Sequence, residues 1–239
     1  MNLKAFYDSV RKSGVINLTV QNVPGFDRIL KYGESIHEPL GSVSYKIATA
    51  YWETGASMRP VEEGYYLGSE SRVKAFQRKL RYYPFFGRGL VQTTWETNYR
   101  KLAVLLGLPE TFFVKNPEKL LTWEYALPAL FKALDVGLYT GKSVDDYIDN
   151  IDESDDEDYR EYLNARRTVN GTDKAATIAK IALAVEHGLT AAGYDPAGSK
   201  PVAPPPASKP TTSTAEPAAA QPSGLMQVIR ALLKLLGVI

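Results

Sequence analysis

The sequence predicts a mainly α-helical domain with at most a minor β-hairpin, followed by a Pro/Ala-rich linker and a C-terminal amphipathic helix. Apolar residues in the first 195 positions recur mostly at steps of three and four, which is the spacing of a buried helix face. No regular alternation of apolar and polar residues indicates a series of strands. Near residue 195, prolines and alanines replace the aromatic and large aliphatic residues. We therefore divide the chain into a globular domain (1–195), a linker (196–223) and a terminal helix (224–239).

The individual helices are predicted from this spacing and from the residues that interrupt it. Leu3, Phe6, Tyr7 and Val10 share one face of the first helix, which Gly14 ends. Further helices are predicted over residues 43–53, 95–106, 125–138 and 172–187, the last with Thr172 as its N-cap. The candidates for short strands are residues 64–67 and 82–86.

Composition excludes several classes of chemistry. The 28 Lys and Arg residues nearly balance 27 Asp and Glu residues, so the chain lacks the strongly basic character of bulk nucleic-acid binding. Cysteine is absent, which removes disulfides, thiol nucleophiles and cysteine-zinc sites. The chain has only two histidines, His37 and His187, which makes a histidine-based catalytic triad an unfavoured interpretation. Carboxylates, hydroxyls and amides must therefore carry any chemistry.

The first candidate site surrounds Glu53. This glutamate ends an otherwise apolar predicted helix, where partial desolvation raises the pKa of a carboxyl group and suits it to general acid catalysis. Glu62 follows nine residues later, beyond the helix-breaking Gly55 and Pro60. An unbroken helix would hold the two roughly 13 Å apart along its axis, whereas a turn lets them face each other across a cleft. Spacing alone leaves ordinary surface glutamates as an open alternative.

Two further segments carry polar side chains beside glycines. In residues 82–99, aromatic rings adjoin two glycines that permit close approach of a ligand to the backbone. Gln92, Thr94 and Asn98 add neutral donors and acceptors of the kind that a polyhydroxyl substrate needs. A turn leading into a helix with an aromatic core face is the alternative. Residues 162–171 alone indicate a helix end capped by glycine.

Four segments, in order, resemble the motifs of the family-19 glycoside hydrolases, and in particular the compact phage-type members, the peptidoglycan-cleaving endolysins. The segments are Trp52-Glu53-Thr54-Gly55, Met58-Arg-Pro-Val-Glu-Glu63, Tyr82-Tyr83 with Gly87-Arg-Gly-Leu-Val-Gln-Thr-Thr94 and Asn98-Tyr99, and Val169-Asn170-Gly171. The resemblance spans residues 1–193. Trp52 stands where the family has histidine, and Pro84-Phe85-Phe86 interrupts the second motif. The long insertions and disulfides of plant chitinases are missing.

The resemblance implies a lysozyme-like helical fold and an inverting hydrolysis of the β-1,4 bond between N-acetylmuramic acid and N-acetylglucosamine, causing bacterial lysis. Glu53 would protonate the glycosidic oxygen, and Glu62 would deprotonate a water on the opposite face. The two carboxyl groups would stand about 6.5–9.5 Å apart. Thr94 would help to hold the water. Glu63 and Glu70 remain rivals for the base.

By the same resemblance, the sugar groove is lined by Gln92, Asn98, Tyr99, Arg167 and Asn170. No metal or organic cofactor is implied, and the expected partner is the peptidoglycan glycan strand, bound by a monomer. Chitin hydrolysis is one alternative function. A non-catalytic, membrane-tethered wall-binding module is another.

The C-terminal segment, residues 224–239, predicts contact with a membrane surface. On a helix its polar residues Gln227, Arg230 and Lys234 fall within a sector of about 60°, and the remaining surface is apolar. Sixteen helical residues reach roughly 24 Å, short of the ~30 Å hydrocarbon core, so we expect the helix to lie in the interface. Docking on the globular domain or self-association is the alternative. Because the N-terminus lacks the apolar core of a signal peptide, we expect cytoplasmic synthesis and action at the cell wall or in the periplasm.

Overall fold

The computed structural model describes residues 1–151 and 154–196 and shows a mainly α-helical domain with one two-stranded antiparallel sheet. The predicted fold class is thereby confirmed for this part of the chain. The helices are α1 (Leu3–Ser13), α2 (Val23–Ser35), α3 (Leu40–Glu53), α4 (Glu70–Gln77), α5 (Glu96–Leu105), α6 (Phe112–Lys115), α7 (Trp123–Asp135), α8 (Asp155–Ala165) and α9 (Ala175–Ala191). The strands are β1 (Val61–Glu62) and β2 (Arg88–Gly89), and 3₁₀ turns occupy Tyr65–Leu67, Pro117–Leu121, Val144–Asp146 and Arg166–Thr168. The predicted C-terminal helix and the linker after its first residue lie outside the described residues.

Helix α3 is the buried centre of the domain. All its residues from Gly41 to Ala50 are buried, among them the polar Ser42, Ser44 and Thr49. Lys46 is buried with them and is paired with Glu38 and Asp135.

Helix α3 packs against α9, and α9 also contacts α1 and α8. The approach of α1 depends on Gly188, where an added Cβ would lie 2.9 Å from side-chain atoms of both Phe6 and Val10. This packing fixes the C-terminal end of α3, where Glu53 lies.

A second hydrophobic cluster joins α5, α6 and α7. Its buried members include Tyr99, Leu102, Phe113 and Leu120. Both α7 and the 3₁₀ turn at Pro117–Leu121 contact strand β2. The cluster therefore supports the sheet from one side. None of the described helices combines the length and apolar character that crossing a membrane requires.

The small sheet lies outside the segments that the sequence favours. Val61 pairs with Gly89, and Glu62 pairs with Arg88, in antiparallel register. The predicted strand at 64–67 is wrong: Gly64 adopts φ 88° and leads into a 3₁₀ turn. The predicted strand at 82–86 is also wrong, because these residues form a turn before β2.

The predicted N-cap of the last helix is also wrong. Helix α9 begins at Ala175, and Lys174 occupies the cap position with φ 60°. Thr172 lies one turn earlier, where its carbonyl accepts a hydrogen bond from the Ala175 amide. The left-handed residue at 174 separates this turn from the helix, so the threonine cannot cap it.

Candidate active site

Glu53 is held in a buried ion pair. It is the last residue of α3 and only 5% of its surface is exposed. Its Oε1 accepts a hydrogen bond from Arg166 Nη1 at 2.8 Å. Arg166 is completely buried, and its Nε donates to the carbonyl of Asp173 at 3.0 Å. The guanidinium therefore fixes the orientation of the Glu53 carboxylate and supplies its counter-charge.

The end of α3 is tied to the segment that carries Glu62. The Tyr65 hydroxyl donates to the Thr54 carbonyl at 2.7 Å, and Thr54 Oγ1 accepts a hydrogen bond from the Met58 amide at 3.0 Å. These bonds close the turn after Glu53 and bring the strand with Glu62 back toward the helix end. The break predicted at Gly55 therefore produces a turn, with Gly55 itself at φ 53°.

Two tyrosines connect the surroundings of the two glutamates. Burial raises the pKa of the Tyr139 hydroxyl, and the charges of Tyr99 and Glu53 raise it further. Burial likewise raises the pKa of Tyr99 to about 12, and Glu62 is among the neighbouring groups that add to this shift. The charge of Glu53 thus acts on the Tyr139 hydroxyl, and that of Glu62 acts on the Tyr99 hydroxyl.

Glu62 lines an open cleft of about 520 Å³. The cleft walls come from β1, α4, the loop at residues 83–86 and β2, and Glu53 is not among the lining residues. Glu62 is partly exposed and forms no ion pair with the rest of the described chain. No group of three His, Asp or Glu side chains in residues 1–151 and 154–196 is arranged to hold a metal ion.

The two rival glutamates, Glu63 and Glu70, are each bonded to other groups of the protein. Glu63 is 1% exposed; its Oε1 accepts from the Tyr82 hydroxyl at 2.8 Å and its Oε2 from the Gly87 amide at 3.0 Å. Burial raises the pKa of Glu63, and the two hydrogen bonds oppose that shift. Glu70 lies in the first turn of α4, in an exposed ion pair with Lys74. Glu63 therefore links the strand to the loop, and Glu70, which lines the same cleft as Glu62, is paired with Lys74. Within the described part of the chain, Glu62 is the candidate base of the three that forms no ion pair and is not buried.

Three of the predicted polar residues brace their own turn. Gln92 Nε2 donates to the carbonyls of Val61 and Gly89 at 3.0 and 3.1 Å and so joins the two strands. Thr94 Oγ1 donates to the Gln92 carbonyl at 2.9 Å, and Asn98 Nδ2 donates to the Thr94 carbonyl at 2.9 Å. All three side chains are partly exposed. Gln92 uses both amide hydrogens and Thr94 its hydroxyl hydrogen in these bonds, so each can contact a ligand only as an acceptor, whereas Asn98 uses one of its two amide hydrogens.

Tyr99 occupies a supporting position and does not line a groove. It is fully buried, its hydroxyl donates to the Phe86 carbonyl at 2.6 Å, and it accepts from Arg88 Nη1 at 2.8 Å. Arg88 itself lines the cleft. Tyr99 can therefore act on a ligand only through Arg88.

The arginine that meets Glu53 is Arg166, which the sequence analysis did not select. Arg167 is exposed and bonded to Asn164, while Asn170 is half-buried after the 3₁₀ turn. The spacing of Arg166 could have indicated its burial. It lies four residues after Tyr162, and on a helix both residues fall on the same buried face. A basic residue on an otherwise buried face requires a buried acidic partner.

Comparisons of the chain with protein-family models, with curated proteins and with solved structures give no match.

Proposed function

We propose that the chain is a glycosidase that cleaves the β-1,4 bond between N-acetylmuramic acid and N-acetylglucosamine in bacterial peptidoglycan and so lyses cells. One observation carries the proposal: two carboxylates held in different ways, Glu53 in a buried ion pair and Glu62 on an open cleft wall, flank a short turn that the Tyr65–Thr54 hydrogen bond closes. Inverting hydrolysis needs two carboxyl groups in such unequal environments, on opposite sides of the scissile bond.

In this mechanism, the acid is Glu53 protonated on Oε2, with Oε1 still accepting from Arg166, and it gives this proton to the glycosidic oxygen as the bond breaks. The ion pair with Arg166 is the form that results. The resulting carboxylate is stabilised by Arg166, whose guanidinium lies 2.8 Å away. Glu62, partly exposed on the cleft wall, accepts a proton from the water that attacks the opposite face of the sugar. Thr94 lies in the turn that Gln92 ties to β1 and β2, from which its hydroxyl oxygen can accept a hydrogen bond from that water.

The proposal is tested by incubating the full-length protein with purified peptidoglycan and, separately, with colloidal chitin. We expect the turbidity of peptidoglycan to fall, with N-acetylmuramic acid at the new reducing ends and the α-anomer formed first. Clearing of chitin alone would make the protein a chitinase. Binding to peptidoglycan with no new reducing ends would contradict the glycosidase proposal and favour a wall-binding module.

A further inference from the structure

The segment that supplies most of the cleft wall is strongly basic although the whole chain is nearly neutral. Residues 70–88, which supply α4, the following loop and the start of β2, contain six basic residues and one acidic residue, a net charge of +5. The chain as a whole carries +1. The basic residues of this segment are Arg72, Lys74, Arg78, Lys79, Arg81 and Arg88. Three of these cations line the cleft together with two carboxylates, Glu62 and Glu70, so the lining itself carries a net charge of +1.

Two of these cations face the cleft without a counter-ion. Lys74, Arg78 and Arg88 all line it, and Lys74 is paired with Glu70. Neither Arg78 nor Arg88 forms an ion pair with any carboxylate of the described chain. Arg88 is only 7% exposed. A buried guanidinium without a carboxylate is costly, and a bound anion would offset that cost.

Arg88 is also held rigidly. Its guanidinium carbon lies 3.6 Å from the centroid of the Phe86 ring, and its Nη1 donates to the Pro84 carbonyl at 3.0 Å and to the Tyr99 hydroxyl. Because the group is already ordered, a ligand loses little further entropy in binding to it. A planar guanidinium fork matches the geometry of a carboxylate.

The remaining lining identifies the kind of anion. Tyr83 is 49% exposed and stacks on Phe86 with ring centroids 6.3 Å apart, which provides an apolar platform for the face of a sugar. Glu62 in the same cleft repels a doubly charged phosphate more strongly than a singly charged carboxylate. The cleft is therefore suited to a sugar that bears a carboxylate.

We infer that Arg88 and Arg78 form an anion subsite for a carboxylate of the glycan strand, so that the cleft selects an acidic glycan over a neutral polymer of N-acetylglucosamine. This inference rests on the proposed function and narrows its substrate class. The carboxylate has two sources in peptidoglycan, the lactyl group of N-acetylmuramic acid and the peptide attached to it. An arginine subsite can bind either carboxylate, and probes with and without the peptide distinguish the two sources.

The test measures binding by calorimetry in a full-length Glu53→Gln background, at a temperature at which circular dichroism shows each variant to be folded. Three tetrasaccharide probes are used: alternating N-acetylmuramic acid and N-acetylglucosamine without peptide, the same strand with peptides, and neutral chitotetraose. Arg78→Gln removes an exposed cation from the cleft. Arg160→Gln is the matched control, since Arg160 is an exposed residue of α8 that does not line the cleft.

We expect Arg78→Gln to raise the Kd for an acidic probe by about three- to tenfold, and for chitotetraose by less than about twofold. The effect should shrink at ~1 M salt, because screening weakens exposed charge pairs. Arg160→Gln should change neither value. Arg88→Lys keeps the charge but loses the fork, and we expect an intermediate loss. The acidic probe that responds identifies the source of the carboxylate.

Equal losses for acidic and neutral probes, or no measurable binding of either acidic probe, would overturn the subsite. The outcome is separate from that of the proposed function. If binding of an acidic probe depends on the arginines but the wild-type protein does not hydrolyse peptidoglycan, the anion subsite is supported and the glycosidase activity is contradicted. If the wild-type protein hydrolyses peptidoglycan but the arginine variants show no loss of selectivity, the glycosidase activity is supported and the anion subsite is contradicted.

Discussion

Replacing Arg166 with glutamine leaves the Glu53 carboxylate buried without its counter-ion. Glu53 is 5% exposed and Arg166 is not exposed at all, so water cannot take over the role of the guanidinium. Removing one partner of a buried ion pair costs about 3–5 kcal/mol in the free energy of unfolding. The adjacent Arg167 provides a matched control because it is the same residue type on the surface. Arg167→Gln should cost less than about 0.5 kcal/mol.

The assay is thermal and urea unfolding of each full-length variant, followed by circular dichroism. In a domain of this size, 1 kcal/mol corresponds to about 2–4 °C in Tm. Arg166→Gln should therefore lower Tm by roughly 6–20 °C and Arg167→Gln by less than about 2 °C. The double variant Glu53→Gln/Arg166→Met removes both charges and should recover most of the loss. Equal effects at positions 166 and 167, or no recovery in the double variant, would refute the buried pair.

Three further predictions concern the base, a buried carboxyl group and the C-terminal segment. Glu62→Gln should nearly abolish clearing of peptidoglycan. Glu63→Gln should retain most activity but lower the free energy of unfolding in urea by about 1–3 kcal/mol, because its amide NH₂ would face the Tyr82 or Gly87 donor. If Glu63→Gln were inactive and Glu62→Gln active, the base would be Glu63. Burial raises the pKa of Glu38 from 4.5 to about 7, so the folded state binds this proton more tightly, and the stability due to this group falls as pH rises from about 4.5 to about 7. Tm measured across this range should show a flatter decline in Glu38→Gln, and an unchanged slope would contradict the assignment. Deleting residues 224–239 should leave hydrolysis of isolated peptidoglycan intact but weaken co-sedimentation with anionic vesicles, and unchanged vesicle binding would remove the membrane role.

The sequence predicts those helices whose burial is periodic. The apolar face of α1 is visible because its buried residues Phe6, Tyr7 and Val10 recur at helical spacing. Helix α3 was predicted from its apolar residues, although it is buried all round and also buries Lys46. Helix α8 was recognised only by its end, in residues 162–171, because its first turn holds four acidic residues. These suit the positive end of the helix dipole but carry no apolar period. Helix α2 was missed for a related reason, since Pro24 and Gly25 at its start are typical of a turn.

The candidate site was predicted where the signal is local and not where it depends on distant contacts. Glu53 lies at the end of a buried helix, as its sequence neighbours indicate. Its partner Arg166 is 113 residues away, and no local pattern pairs the two. Gln92 illustrates the same limit: its amide is a plausible sugar ligand by type, but the fold turns its NH₂ group toward two backbone carbonyls.

The most direct test of the account is the rate at which Glu53→Gln clears purified peptidoglycan. Glutamine keeps the shape of the side chain and an oxygen for Arg166, but it has no proton to transfer. Because Arg166 also loses its counter-charge, the rate is measured at a temperature at which circular dichroism shows the variant folded, and it is expressed per folded molecule. The account predicts a fall of at least about a hundredfold relative to the wild-type protein. A folded Glu53→Gln protein that clears peptidoglycan at a near-normal rate would contradict it.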